Sequence, residues 1–159
     1  MAATDEEPSW RLTDMHHLGL TVSDIERSIR FYQDVLGMTL VRRRETDADY
    51  ISQQTGYPGV RLLAASFKPT LDSKQSLEVV QYLTHGGAPA DQATNRPGNS
   101  HLCFLVSDIH AAYKSMLAQN VRFKSEPVAI TSGPNEGGSV VYLYDPDGYT
   151  LEMFQPPVR

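Results

Sequence analysis

The sequence predicts an α+β protein assembled from two copies of one βαβββ module, and three observations carry that prediction. The stretch opening at His17, HLGLTVSDI, returns at His101 as HLCFLVSDI, with six of nine positions identical at an offset of 84 residues. The stretch around Glu78, LEVVQ, returns around Glu152 as LEMFQ. Both pairs keep the chain order His, Glu, His, Glu, so a single duplication explains them together.

The elements come in a regular order. Each His-bearing strand runs into Ser-Asp-Ile, a helix start. Ser23 is placed to cap the first helix, with Glu26 three residues on completing a capping box. Ile25, Ile29, Tyr32 and Leu36 then repeat at helical spacing, and Gly37 ends the helix. The second helix starts at Ser107, carries Ile109, Tyr113, Met116 and Leu117, and ends near Gln119-Asn120 with Asn as a left-handed cap. Strand character comes after each helix. In the first half it covers Thr39–Arg44, Val60–Phe67 and Ser76–Leu83. In the second it covers Val121–Phe123 and the residues just after it, Ser139–Tyr144 and Tyr149–Phe154. Asp145-Pro146-Asp147-Gly148 is a strong hairpin turn between the last two. The expected division is an N-terminal arm over 1–14, a first module over 15–84, a linker rich in Gly, Ala and Pro over 85–99, and a second module over 100–156. Thr131–Gly138 reads as a flexible loop able to serve as a lid, and Asp49–Gly59 as a connection longer than a tight hairpin.

Strand alternation assigns faces. His17, Gly19 and Thr21 share one face, against Leu18, Leu20 and Val22 on the other. His101, Cys103 and Leu105 oppose Leu102, Phe104 and Val106 in the same way. The uniformly apolar faces should pack under the helices. Glu78 and Glu152 alternate with Leu77, Val79, Leu151 and Met153, so each Glu shares the face of its His. Two such sheets facing each other would bring two imidazoles and two carboxylates together. That donor set suits a borderline or fairly hard divalent ion, Ni, Co, Fe, Mn or Zn, with positions left over for substrate oxygens. Taken singly, a His or a Glu on a strand is a surface residue; the repeated pairing is what singles these four out. His16 competes with His17, but alternation puts it on the helix side and its counterpart is Ser100. His85 in the linker and His110 at the second helix read as solvent-facing.

Composition bounds the rest. At 159 residues, 40% hydrophobic and 21% charged, the chain is long enough for one compact domain or two small halves sharing a core. A net charge of −5 disfavours a nucleic-acid partner. No apolar stretch approaches the roughly 20 residues that span a bilayer, and the acidic start MAATDEEPSWRLTD lacks a secretory pattern, so a cytoplasmic location is expected. Cys103 is the sole cysteine, which excludes an intrachain disulfide and a thiolate cluster. Arg42-Arg43-Arg44 is the one basic run, with Arg43 on the opposite face from its neighbours. It reads as a solvated strand end, and its sharper alternative is a clamp for an anionic substrate.

Residues 15–156 resemble the vicinal oxygen chelate superfamily, which includes glyoxalase I, methylmalonyl-CoA epimerase, extradiol dioxygenases and bleomycin-resistance proteins. HLGLTVSDIERSIRFYQDVLGM is similar to the family's opening strand and helix, and HLCFLVSDI, YDPDG and TLEMF to landmarks of its second module. The resemblance implies paired βαβββ modules forming a curved half-barrel, with one divalent metal ion per site on the concave face. Carried over by position, the ligands fall on His17, Glu78, His101 and Glu152. This set is similar to that of glyoxalase I and near the epimerase pattern. It differs from extradiol dioxygenases, whose first module lacks ligands, and from fosfomycin-resistance enzymes, which use three. Tyr149 comes after the turn where Asn or His is more usual, and Asp49–Gly59 carries no clear glutathione-binding signature.

The expected activity is that of a metal-dependent lyase or isomerase, glyoxalase I-like or epimerase-like, moving a proton beside a carbonyl through a metal-stabilised enediolate. Glu152 or Glu78 would be the general base. The alternatives are an Fe(II)-dependent ring-cleaving dioxygenase, active only with iron and O₂, and a non-catalytic small-molecule binding or resistance protein, for which the ligands would be dispensable. Tyr50, Arg61, Tyr82, Tyr142 and Phe154 are candidates for lining the substrate cavity. A small-molecule substrate is expected, with no nucleic-acid or membrane partner. Exposed strand edges point to a homodimer.

Overall fold

In a computed structural model the described residues are 9–158, so residues 1–8 of the expected arm lie outside them. The first half contains β1 (His17–Thr21), α1 (Ile25–Arg30) running on into one π-helical turn (Phe31–Val35), β2 (Thr39–Thr46), α2 (Asp49–Thr55), β3 (Leu62–Lys68) and β4 (Ser76–Tyr82). The second contains β5 (Leu102–Leu105), α3 (Ile109–Leu117), β6 (Val128–Ala129), β7 (Ser139–Tyr144) and β8 (Thr150–Gln155). Two separate four-stranded mixed sheets result, ordered β1-β4-β3-β2 and β5-β8-β7-β6. In each, the His-side strand pairs parallel to the Glu-bearing strand, and the remaining pairs are antiparallel. Among the described residues, no helix is long and apolar enough to cross a membrane.

The expected helix ends are present. Gly37 takes φ 70° and Asn120 φ 61°, the left-handed conformation that stops a helix. The cap at the other end is one residue later than expected. Asp24 caps α1, accepting from the Arg27 N–H at 3.0 Å, and Asp108 caps α3, accepting from the Ala111 N–H at 2.9 Å. A carboxylate at that position meets the free N–H groups with a full negative charge, which a hydroxyl cannot. The Arg27 N–H accordingly holds the Asp24 carboxyl below its usual range. Ser23 is drawn away to Asp147, and Glu26 pairs with Arg43 instead of closing a capping box.

One further expectation is filled in and another is corrected. The long connection after β2 folds as α2, which begins after Ala48 and stops at Gly56, φ 75°. The strand expected at Val121–Phe123 is reduced to a single bridge between Phe123 and Leu143, and the edge position goes to Val128–Ala129. Lys124 and Tyr144 still hydrogen-bond across that region to Tyr142 and Arg122, so its backbone groups are satisfied without a continuous ladder.

One apolar core runs through both halves. Leu20, Ile25, Tyr32, Phe67 and Val79 of the first belong to the same buried cluster as Ile109, Met116, Leu143, Leu151 and Met153 of the second. Polar contacts seal it where the β7–β8 turn meets α1. Asp147 accepts from the Ser23 N–H at 3.1 Å and hydroxyl at 2.5 Å, and pairs with Arg27 at 2.7 Å. Buried Asp145 accepts from the Tyr32 hydroxyl at 3.0 Å. The helix-side faces of both sheets are thus committed to the shared core, which leaves the His and Glu faces turned away from it.

Candidate metal centre

Each half presents one His–Glu pair. His17 starts β1 and Glu78 sits in β4, whose register sets Glu78 beside Gly19. The His17 Nε2 to Glu78 Oε2 distance is 3.8 Å. His101 immediately precedes β5, and its Nε2 lies 2.8 Å from Glu152 Oε2 of β8. The side chains are exposed to nearly equal degrees in the two pairs, 42% and 43% for the histidines and 23% and 17% for the glutamates. Each pair therefore has a seated carboxylate under a half-open imidazole, ready to be covered by something else.

The two pairs do not meet within one chain. Among the described residues, no group of three or more His, Cys, Asp or Glu side chains is gathered to hold a metal. The donor chemistry, imidazole nitrogen plus carboxylate oxygen, fits a borderline divalent ion at either pair. Two protein donors fall short of the three or four that a divalent-metal site ordinarily uses.

The surroundings of the pairs differ. The first faces a cleft of about 490 Å³ on β1–β4, roofed at one end by α2. Ile51 of α2 is buried against Val60 and Leu62, with Val80 and Tyr82 packed on them. Ser66 donates to Glu78 at 3.4 Å. The second pair has Tyr142 tilted against His101, ring centroids 5.3 Å apart, and Cys103 beside Glu152. Burial and the Glu152 charge push the Cys103 thiol up to about 11.

His16 also belongs to the cleft, contrary to the face that alternation assigned it. It precedes β1, so strand alternation does not govern it. Its Nδ1 lies 2.7 Å from His17 Nδ1, with the rings edge-on at 5.0 Å. Of the other expected cavity residues, Tyr82 lines the cleft, whereas Arg61 is engaged by Glu45 at 2.5 Å. Tyr50 accepts from Arg44 at 3.2 Å. Arg42 and Arg44 line the cleft while Arg43 turns to Glu26, as strand alternation requires. His85 stacks on Tyr57 and contacts the Pro58 carbonyl at 3.0 Å, so it is exposed yet tethered.

Sequence reasoning missed a further repeated contact. The Gln closing each Glu strand, Gln81 and Gln155, accepts from the first N–H of the helix in its own half, Ile25 and Ile109. Its signal was the shared final letter of LEVVQ and LEMFQ.

Residues 14–153 match the Glyoxalase/Bleomycin resistance protein/Dioxygenase superfamily. A lactoylglutathione lyase of Haemophilus influenzae is 32% identical, over 87% of this chain and 90% of that protein. A 2-epi-5-epi-valiolone epimerase of an Actinomyces species is 30% identical, over 90% and 79%. In fold, a glyoxalase family protein of Bacillus cereus superposes with a TM-score of 0.83 at 17% identity, covering 96% of this chain and all of that one.

Proposed function

The chain belongs to the Glyoxalase/Bleomycin resistance protein/Dioxygenase superfamily, and we propose that it is a cytoplasmic, divalent-metal-dependent lyase or isomerase that moves a proton at a carbon next to a carbonyl. The observation that carries this reading is the pair of equivalent His–Glu sets on sheet faces turned away from the core. Relatives named as a lyase and as an epimerase support the same class of chemistry.

His17, Glu78, His101 and Glu152 are the proposed ligands, two from each half. Since one chain does not gather them, the complete set belongs to a homodimer, in which the β1–β4 face of one chain meets the β5–β8 face of its partner. Among the described residues the outer edges of β1 and β5 have no strand neighbour, and Leu105 on β5 is 73% exposed, so both sheets have surface to cover.

A divalent cation bound there supplies Lewis-acid polarisation of substrate oxygens. The chain's own residues do the rest. A glutamate, Glu152 or Glu78, takes the proton on a carboxylate oxygen and returns it to the substrate. One glutamate on each side of the site allows removal from one face and delivery to the other, which is what an epimerisation requires. The imidazoles would help hold the cation, and Val80 and Leu62 give the cleft an apolar floor.

Complementation tests the reading. Neither His17→Ala/Glu78→Ala nor His101→Ala/Glu152→Ala should bind metal or turn over. Unfolded together and refolded as a mixture, they should regain both, because a mixed dimer contains one intact site. Recovery of neither would overturn the shared site.

A further inference from the structure

We propose that Arg42 and Arg44 form an anion clamp in the first cleft, so that the substrate carries an oxyanion, a carboxylate or a phosphate, a few bonds from the oxygens that meet the His–Glu set. The clamp rests on the proposed reading of the cleft as the substrate site.

Register carries the argument. Strand pairing aligns Arg42, Ser66, Glu78 and Gly19 in one row across β2, β3, β4 and β1. It aligns Arg44, Ala64, Val80 and Thr21 in the next row on the same face. Arg42 is thus two strands from Glu78, roughly 10 Å between backbones. The residues between the arginines and Glu78 are Ser66 and Ala64, too small to fill the space above the sheet. What remains is an open trough with a carboxylate–imidazole pair at one end and two guanidinium groups at the other.

These guanidinium groups are available. Arg27, Arg43, Arg61 and Arg96 each hold a carboxylate among the described residues; Arg11, Arg30, Arg42, Arg44 and Arg122 hold none there, and of these Arg42 and Arg44 line the cleft. Among the described residues the Arg44 side chain donates only to the Tyr50 hydroxyl, a neutral partner that orients the group without cancelling its charge. Its Nε is buried without a protein partner among the described residues, as is that of Arg27. Among the described residues the only carboxylate lining the cleft is Glu78, at the other end. A cationic trough on a chain of net charge −5 concentrates field on one spot, and paired guanidinium groups suit a planar carboxylate or a phosphate.

Calorimetric binding of two matched probe pairs tests this. 2-Oxoglutarate against 2-oxobutyrate differs by a distal carboxylate, and dihydroxyacetone phosphate against dihydroxyacetone by a phosphate. Wild-type protein loaded with Mn(II) should bind at least one anionic member roughly tenfold or more tightly than its neutral-tailed counterpart, since charge-assisted hydrogen bonds are worth this much. The pair with the larger preference identifies the anion. Arg42→Gln/Arg44→Gln should lose the preference while keeping its affinity for 2-oxobutyrate or dihydroxyacetone. No preference in wild type, or a preference kept by the double variant, would overturn the clamp. Repeating the titrations after chelation separates the two claims: a preference that survives while no affinity changes upholds the clamp and removes the metal reading.

Discussion

The Gln81 side chain accepts a hydrogen bond from the Ile25 N–H at 3.0 Å, tying the end of the first Glu strand to the start of the first helix. Gln155 does the same for Ile109 at 2.8 Å. The His strand leads into that helix, so each glutamine ties together the elements that carry a His and a Glu proposed as ligands. Gln81→Leu leaves the N–H without its acceptor in a partly buried place, and should cost about 1–3 kcal/mol. The midpoint of urea unfolding measures it. The positioning role predicts a loss of metal affinity larger than the stability loss.

Tyr32 and Asp145 give a prediction in pH. Burial pushes the Asp145 carboxyl above its ordinary 3.8, outweighing the Tyr149 N–H and Tyr32 hydroxyl that favour its ionised form. The folded state therefore holds this proton more tightly than the unfolded state. The stability from the group is fully present below the unfolded pKa, and is lost as pH rises through the raised folded value. Urea unfolding of wild type and Asp145→Asn, tracked upward from about pH 3.5, should show the wild-type advantage shrinking. Tyr32→Phe should cost about 1–3 kcal/mol at neutral pH, where the carboxylate loses a hydroxyl donor.

Gly138 immediately precedes β7 and lies against the end of β8. A Cβ there would lie 2.7 Å from the Gln155 carbonyl oxygen and 3.0 Å from the Phe154 ring. The backbone cannot yield cheaply, so Gly138→Ala should destabilise by roughly 1–3 kcal/mol. Thermal unfolding checks this, with Gly87→Ala, which meets nothing within 4 Å, as the control.

Much of the fold was legible in the sequence because period-2 alternation is read directly from residue order. Counting by twos put His17 and Glu78 on one face, Leu20 and Val79 on the other, and set Arg43 opposite its neighbours. Local rules failed where a tertiary partner competed. Ser23 is a good cap residue in isolation, but Asp147, 124 positions away, takes its hydroxyl. His16 lies one residue before β1, where alternation no longer fixes the face of a side chain. The segment holding α2 is short and has Ile51 as its one buried residue, too little for a helical period to show. The separation of the two His–Glu pairs was not readable at all, since a repeat says that two faces are alike and not which surfaces they meet.

Glu152→Gln addresses the proton-transfer role. Gln keeps the size and one carbonyl acceptor but cannot take up a proton at neutral pH. The variant should fold with the wild-type unfolding midpoint and lose most of its turnover, by roughly 10²-fold or more. Wild-type-like turnover would remove Glu152 as the base and leave Glu78.

The most direct measurement is elemental analysis of protein purified without chelator, beside the His17→Ala/Glu78→Ala variant. About one divalent metal per chain in the wild type, and none in a variant that still folds, is the predicted result, with any of Ni, Co, Zn, Mn or Fe satisfying it. No metal in the wild type, even after incubation with Ni, Co, Mn and Zn, would contradict the metalloenzyme account and leave the repeated His–Glu pairs without their proposed purpose.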